Sequence, residues 1–121
     1  MIDLIVIGAG PGGYEAALRA AQNGMTVTVF EESFVGGTCL NRGCVPAKAL
    51  LHAAETRREA KKAGILNDQP VDMPALQAWN RGVVAQLRGG IETLFRQNGI
   101  TLVPGRAVIE SAGRVSSNGE I

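Results

Sequence analysis

The chain has 121 residues, of which 45% are hydrophobic and 19% charged, which is enough for one domain with a modest core. Its formal net charge of +1 gives no reason to expect nucleic acid or an anionic membrane surface as a partner. No apolar run reaches the roughly 18 residues of a membrane span, and the N-terminus shows no signal peptide. We therefore expect a cytoplasmic protein, in which a persistent structural disulfide is rare and a catalytic one is the usual exception.

The N-terminal part of the chain has the pattern of a βαβ unit. Residues 3–7 form a continuous aliphatic run, typical of a buried parallel strand. A glycine-rich turn follows, then an alanine-rich helix over residues 14–22 that ends at Gly24. Residues 26–30 predict the second strand, which two acidic residues, Glu31 and Glu32, follow directly.

The glycine-rich turn carries the fingerprint of a dinucleotide phosphate site, Gly8-x-Gly10-x-x-Gly13. Gly8 permits the tight turn, Gly10 admits a pyrophosphate, and Gly13 lets the helix pack closely on the strand. The helix N-terminus offers free N–H groups to the phosphate. We assign Glu31 to the ribose diol, with Glu32 as its rival, and the alternative is a glycine-rich turn without a ligand.

Both cysteines of the chain, Cys39 and Cys44, lie in one short segment with four residues between them. A pair this close forms a disulfide only in a narrow backbone geometry, and the short loop that it closes gains little stability. A redox-active pair is therefore favoured over a structural one. Two buried inert thiols are the alternative, and a zinc site lacks ligands because His52 is the only histidine.

Two helices are predicted in the middle of the chain. Residues 33–38 read as a loop, and Thr38 or Asn41 is a candidate cap for a helix over residues 48–62. Asp72 caps a second, long amphipathic helix that ends at residues 98–99, with a possible kink at its glycines. The predicted inner face of the first helix comprises Leu50, Leu51 and Ala54, and that of the second Met73, Leu76, Trp79, Val83, Leu87, Ile91 and Leu94. Trp79 is assigned to a core or interface position rather than to cofactor stacking.

The last part of the chain has the pattern of short strands. Residues 100–103 predict a third strand, and residues 108–110 and 114–116 alternate like the strands of a hairpin. Asn118-Gly119 is a type I′ turn signal, but only two residues follow it, and a partner strand is missing from the pattern. We expect a sheet with exposed edges, and a chain of these 121 residues that pairs with itself or aggregates.

Residues 7–14 together with residues 36–48 resemble the flavin-dependent pyridine nucleotide–disulfide oxidoreductases. Residues 40–41 and 48–52 favour members that oxidise dihydrolipoamide over those like glutathione or mercuric reductase. The resemblance implies an α/β, Rossmann-like FAD-binding domain with a parallel sheet, of which residues 1–121 are the N-terminal part. The nicotinamide-binding and dimer-interface domains of the family are expected to lie outside these residues.

The resemblance also implies the reaction and the partners. Electrons pass from dihydrolipoamide to a Cys39–Cys44 disulfide, then to FAD and to NAD⁺, which yields lipoamide and NADH. The partners are a lipoyl-bearing protein or another dithiol, a second copy in a homodimer, and the components of a 2-oxo acid dehydrogenase complex. Residues 1–121 alone are expected to be inactive, and a simple NAD-linked dehydrogenase that uses the first fingerprint remains the alternative from another class.

Site roles follow from the resemblance, position by position. Cys39 is the thiol that exchanges with the substrate, and Cys44 is the thiol that faces the flavin. Lys48 places a cation near the flavin, and Pro46 disturbs the helix beside Cys44 and fixes its thiol. His52 is expected to be a packing residue. The cofactor-binding set is Gly8, Gly10, Gly13, Glu31, Gly37, Thr38, Cys39, Lys48 and, at the adenine, Ala107.

Overall fold

A three-stranded parallel sheet forms the centre of the fold, which a computed structural model describes for residues 1–117. Its strands are β1 (Leu4–Ile7), β2 (Val27–Glu31) and β3 (Thr101–Pro104), in the order β1-β2-β3. Leu4 pairs with Val27, and Thr28 pairs with Thr101. The fold is therefore the predicted α/β architecture with a parallel sheet.

One helix precedes β2 along the chain, and a second helix follows it. Helix α1 (Pro11–Gln22) begins three residues before the predicted position 14, because proline is tolerated in the first turn of a helix. Helix α2 (Gly37–Arg42) occupies a segment whose start was predicted as loop. Gly36 caps α2 with a left-handed φ of +100°, and its backbone N–H is bonded to Ala9 O at 2.7 Å. Glycine is the residue that adopts this conformation without strain.

The other two helices lie next to each other. Helix α3 (Cys44–Lys62) begins at the second cysteine, four residues earlier than predicted, and Pro46 falls in its first turn, where it does not break the helix. Helix α4 (Met73–Gln97) is one continuous helix that begins after Asp72, as predicted, and whose C-cap is Asn98. The caps predicted from Thr38 and Asn41 are wrong, because glycines occupy both N-cap positions and no side chain bonds there.

Strands β4 (Ala107–Ser111) and β5 (Arg114–Ser117) form the predicted hairpin, an antiparallel pair separate from the sheet. The turn predicted at Asn118-Gly119 lies outside the described residues. Within residues 1–117, no helix is both long enough and apolar enough to cross a membrane.

The core lies between β2, α1 and α4. Phe95, Val27 and Val29 are its largest fully buried side chains. The predicted inner faces of α3 and α4 are largely wrong: Leu51 is 59% exposed, and the buried residue of α3 is Ala49. On α4 the buried positions are Asn80, Val84, Ile91 and Phe95, whereas Met73, Trp79, Leu87 and Leu94 are exposed.

Candidate cofactor and disulfide site

The glycine turn and the segment before the cysteines meet backbone to backbone. A Cβ on Gly13 would lie 1.9 Å from Gly8 O, so α1 packs on the turn at a distance that only glycine allows. A Cβ on Gly37, whose φ is +64°, would lie 2.7 Å from the Cα of Gly10. The structure thus brings the two motifs, separate in sequence, into one site at the carboxyl ends of β1 and β2.

The first glycine of the fingerprint adopts the conformation that its predicted role requires. Gly8 has a φ of +94°, and its N–H bonds to Phe30 O at 2.7 Å. Gly10 is the N-cap of α1, and no side chain caps this helix end. The first N–H groups of α1 are therefore available to an anion, as the sequence predicted.

Glu31 stands between the two motifs and is held on both carboxylate oxygens. Its Oε2 accepts a hydrogen bond from Ala9 N at 2.7 Å, and its Oε1 accepts one from Ser33 N at 2.8 Å. It is half-buried as the last residue of β2, whereas Glu32 is exposed. Of the two rivals for the ribose, Glu31 is the one whose carboxylate the fold fixes.

Two clefts share Glu31 as a wall. One, of about 320 Å³, is lined also by Gly8, Arg106 and Ala107. The other, of about 220 Å³, is lined also by Gly37, Thr38 and Asn41. The clefts bring the predicted cofactor residues on both sides of Glu31 together, and they add Arg106, which no motif indicated.

The two cysteines form a disulfide that joins two helices. Cys39 lies within α2, Cys44 is the first residue of α3, and their Cα atoms are 4.6 Å apart. Cys39 is half-buried and Cys44 is exposed, which argues against the alternative of two buried inert thiols. The N-terminus of the 19-residue helix α3 carries a partial positive charge, which favours a thiolate at Cys44 over one at a position without such a charge.

Lys48 and His52 follow Cys44 on α3, and neither lines the two clefts at Glu31. Lys48 is exposed one helical turn after Cys44. His52, expected to be a packing residue, is exposed, and with Trp79 it lines a groove between α3 and α4.

The structure adds two positioning contacts that the sequence analysis missed. The side-chain amide of Asn41 donates to Val35 O at 3.0 Å and to Gly37 O at 2.9 Å, and thereby holds the loop before the cysteines. The guanidinium of Arg88, on α4, stacks 4.2 Å above the ring centroid of Phe34 in the same loop. Asn41 had been considered only as a helix cap, and the Arg88 contact is too distant in sequence for any local pattern.

The fold and the site define a class of protein: an α/β nucleotide-binding fold with a disulfide beside its phosphate turn. The family model described as pyridine nucleotide-disulphide oxidoreductase matches residues 2–121, and the chain belongs to this family. This confirms the resemblance that residues 7–14 and 36–48 indicated.

Individual relatives agree with this assignment. The chain is 52% identical over 123 residues to the dihydrolipoyl dehydrogenase of Haloferax volcanii, covering 98% of this chain and 26% of the relative. It is 48% identical over 121 residues to that of Thermus scotoductus, with coverage of 98% and 26%. The chain therefore spans about a quarter of the length of these relatives.

Solved structures give the same picture. The HOCl-induced flavoprotein disulfide reductase RclA of Escherichia coli superimposes with a TM-score of 0.79 at 26% identity, covering 97% of this chain and 25% of that one. LpdA of Mycobacterium tuberculosis superimposes with a TM-score of 0.78 at 27% identity, and the match covers 93% of this chain and 28% of the LpdA chain. The predicted fold class is thus confirmed by structural similarity as well as by sequence.

Proposed function

We propose that the intact protein is an FAD-dependent disulfide oxidoreductase that oxidises dihydrolipoamide with NAD⁺, and that residues 1–121 are the N-terminal part of its FAD-binding domain. The two sequence relatives described above are dihydrolipoyl dehydrogenases. The nicotinamide-binding and dimer-interface domains are proposed to lie outside this sequence.

The residues of the site fit FAD. The N-terminus of α1 provides unpaired N–H groups for the pyrophosphate, and the close contact of Gly37 with Gly10 brings the segment before the cysteines against this helix end. Glu31 offers fixed carboxylate oxygens to a ribose diol, and Ala107 leaves room in the larger cleft for an adenine. Gly37 and Thr38 line the smaller cleft, on the side of the cysteines.

The disulfide supplies the chemistry of this chain's own residues. A thiolate of dihydrolipoamide attacks Cys39 Sγ, the Cys39–Cys44 bond breaks, and Cys44 leaves as a thiolate at the N-terminus of α3. The second substrate thiolate then attacks the substrate sulfur of the mixed disulfide, the bond from that sulfur to Cys39 breaks, and oxidised lipoamide is released. Cys39 leaves as a thiolate and takes up one of the two protons that the substrate thiols gave up, and the other proton passes to solvent. Two electrons and two protons have left the substrate. When bound, FAD supplies the acceptor that passes these two electrons on to NAD⁺.

The charges around the cysteines support this direction of attack. The partial positive charge at the start of α3 makes Cys44 the better leaving group. Lys48 lies one turn later on the same face of α3 and adds a cation on the side of Cys44. We propose Cys39 as the thiol that meets the substrate, Cys44 as the thiol that faces the flavin, and Lys48 as the cation that stabilises negative charge there.

The partners follow from the proposed reaction. A dithiol of this kind is carried by a lipoyl-bearing protein, so the proposed context is a 2-oxo acid dehydrogenase complex. We also propose that the intact protein is a homodimer, as the resemblance implies.

The single observation that carries the proposal is the disulfide at the start of α3 together with the contact of Gly37 on Gly10. We expect the full-length protein to be yellow and to gain a long-wavelength absorbance band on partial reduction. Cys44→Ala should remove this band, because the band requires a thiolate beside the flavin, and Cys39→Ser should retain it while losing turnover of dihydrolipoamide. A full-length protein that binds flavin but shows no such band would overturn the assignment.

A second proposal concerns residues 1–121 as an isolated chain, in which both clefts at Glu31 are present. We propose that this chain binds FAD or an adenine nucleotide weakly, catalyses no turnover, and self-associates through the exposed edge of the sheet and exposed apolar residues such as Leu51 and Trp79. Turnover of dihydrolipoamide with NAD⁺ by this chain, or a monomer of high thermal stability in light scattering, would contradict these expectations.

A further inference from the structure

A further pocket, with charged and amide side chains on largely apolar walls, lies between the cysteine segment and α4. It has a volume of about 490 Å³. Asn41 and Arg42, which lie between the two cysteines, form one wall, and residues of α4 form the opposite wall. The pocket is lined by Asn41, Arg42, Pro46, Gln77, Asn80, Arg81, Val84, Ala85 and Arg88.

The lining is strongly positive. It contains three guanidinium groups, those of Arg42, Arg81 and Arg88, and no carboxylate. The ion pairs found within residues 1–117 all lie at the far end of α3 and in the following loop, and none of them includes these arginines. Because like charges held together are costly without a counter-charge, this arrangement favours an anion.

Buried polar atoms without a partner point to the same place. Among the described residues there are three such side-chain atoms, namely Asn41 Oδ1, Asn80 Oδ1 and Arg88 Nε, and all three residues line this pocket. Asn80 is only 5% exposed, on a helix face whose other buried members are apolar. These atoms have almost no accessible surface, so a ligand in the pocket meets them only after a rotation of the side chains toward it. A buried polar atom without a hydrogen bond costs about 1–3 kcal/mol, which favours such a rotation when a ligand supplies the partners.

The unpartnered atoms also specify the chemistry of the ligand. Arg88 Nε is a donor and needs an acceptor, whereas the two amide oxygens are acceptors and need donors. A ligand that satisfies both kinds carries anionic oxygens together with an O–H group. Hydrogen phosphate and the monoanion of a phosphate monoester meet this description, whereas sulfate at neutral pH accepts hydrogen bonds but donates none.

We infer that this pocket binds a phosphate group, either free phosphate or the phosphate of a small monoester. The guanidinium groups hold the charge, and the amide oxygens of Asn41 and Asn80 select a protonated oxyanion. The pocket shares Asn41 and Arg42 with the smaller cleft at Glu31, whereas Arg81, Arg88 and Asn80 line neither of the two clefts there. Asn41 and Arg42 lie between the two cysteines in the sequence, so a bound phosphate would also reduce the positive charge on the segment that carries the disulfide.

The test is isothermal titration of the full-length protein, saturated with FAD, with inorganic phosphate, glycerol 3-phosphate and sulfate in turn. Added FAD keeps phosphate from the N-terminus of α1. We expect phosphate or glycerol 3-phosphate to bind at one site about tenfold more tightly than sulfate, because sulfate leaves the amide oxygens unpartnered. The tighter of the two ligands identifies free phosphate or a monoester as the occupant.

Two variants and one control locate the binding. Arg81→Gln, at an exposed position of α4, should weaken phosphate binding about tenfold. Asn80→Leu should bring the ratio of phosphate to sulfate affinity toward one without loss of thermal stability. Arg58→Gln, on α3 outside the pocket, should change neither value. Absence of phosphate binding, or binding that Arg81→Gln leaves unchanged, overturns the inference, and neither outcome depends on whether the protein turns over dihydrolipoamide.

Discussion

Two regions of the molecule are built on different principles. In the nucleotide half, residues 1–43, backbone meets backbone: Gly13 lies against Gly8, and Gly37 against Gly10. In the helical hairpin, formed by α3 and α4, contacts are made by side chains, and large apolar groups such as Leu51 and Trp79 remain exposed. The first region allows one arrangement, whereas the second leaves surfaces for other contacts.

The disulfide joins these two regions. Cys39 belongs to the nucleotide half, and Cys44 is the first residue of the helical hairpin. The Cys39 sulfur is therefore held through the glycine contacts, and the Cys44 sulfur by the start of a long helix. Reduction of the bond removes a covalent link exactly where the two regions meet, so Asn41 and the Arg88–Phe34 contact must then hold the cysteine segment in place.

The largest effect is expected at Gly13 in the nucleotide half. A Cβ at this position would lie 1.9 Å from Gly8 O, a backbone atom that cannot move without breaking the turn. We expect Gly13→Ala to cost more than about 4 kcal/mol of unfolding free energy, and to abolish FAD binding. Urea denaturation followed by circular dichroism measures this cost.

Gly12 is the matched control, because it lies beside Gly13 in α1 and a Cβ there meets nothing within 4 Å. Gly12→Ala should leave the stability unchanged or raise it by about 0.5–1 kcal/mol, since alanine favours the helix. Equal losses for the two variants would show that close approach to Gly8 is not what requires glycine at position 13.

A second contrast lies within the helical hairpin. Phe95 is 2% exposed and Leu94, its neighbour on α4, is 44% exposed. We expect Phe95→Ala to cost about 3–4 kcal/mol through lost burial and a new cavity. Leu94→Ala should cost less than about 1 kcal/mol. Thermal or urea unfolding of both variants checks this, and a larger loss at Leu94 would mean that another surface covers it.

Glu31 and Glu32 are adjacent in sequence, but the fold fixes only the carboxylate of Glu31. Glu31 accepts hydrogen bonds from Ala9 N and Ser33 N, whereas Glu32 is exposed. Glu31→Ala should cost about 1–3 kcal/mol and weaken FAD binding, because two backbone donors lose their partner. Glu32→Ala should cost less than about 0.5 kcal/mol. Similar flavin dissociation constants for the two variants would contradict the assignment of Glu31 to the ribose.

The difference between these two regions also explains how much of the fold and of the site the sequence predicted. The nucleotide half follows from local signals, since each strand, glycine turn and acid lies within a short segment and each glycine has one conformational reason. Gly37 and Ala107 line the two clefts at Glu31 because parallel strands bring their carboxyl ends together at one edge of the sheet. Helix α2 was missed because a six-residue helix capped by glycine has no periodic signal of its own.

The helical hairpin was predicted less well because α4 has two apolar stripes. One contains Trp79, Leu87 and Leu94, and the other contains Val84, Ile91 and Phe95. Periodicity alone cannot decide which stripe faces the core when both repeat at three and four residues. The buried stripe also includes the polar residue Asn80, so the predicted face took only Ile91 from it and drew its other residues from outside it. The pocket beside Asn80 gave no signal in the sequence.

The smallest expected effect concerns the start of α4, which the sequence predicted correctly. Asp72 Oδ1 accepts a hydrogen bond from Ala75 N at 3.0 Å, an N–H group that has no partner within the helix. Asp72→Ala should therefore cost about 1 kcal/mol.

Asp68 is the control, since it is paired only with Lys61 at the surface, and its side chain is 86% exposed. Asp68→Ala should cost at most about 0.5 kcal/mol, because screening by water weakens an exposed ion pair. Added salt should reduce the effect at Asp68 and leave most of that at Asp72, because a hydrogen bond to the helix end depends less on ionic strength than a surface ion pair. A salt series of urea denaturations on both variants distinguishes the two, and a cost at Asp72 that disappears in salt would show that its charge, rather than its hydrogen bond, begins the helix.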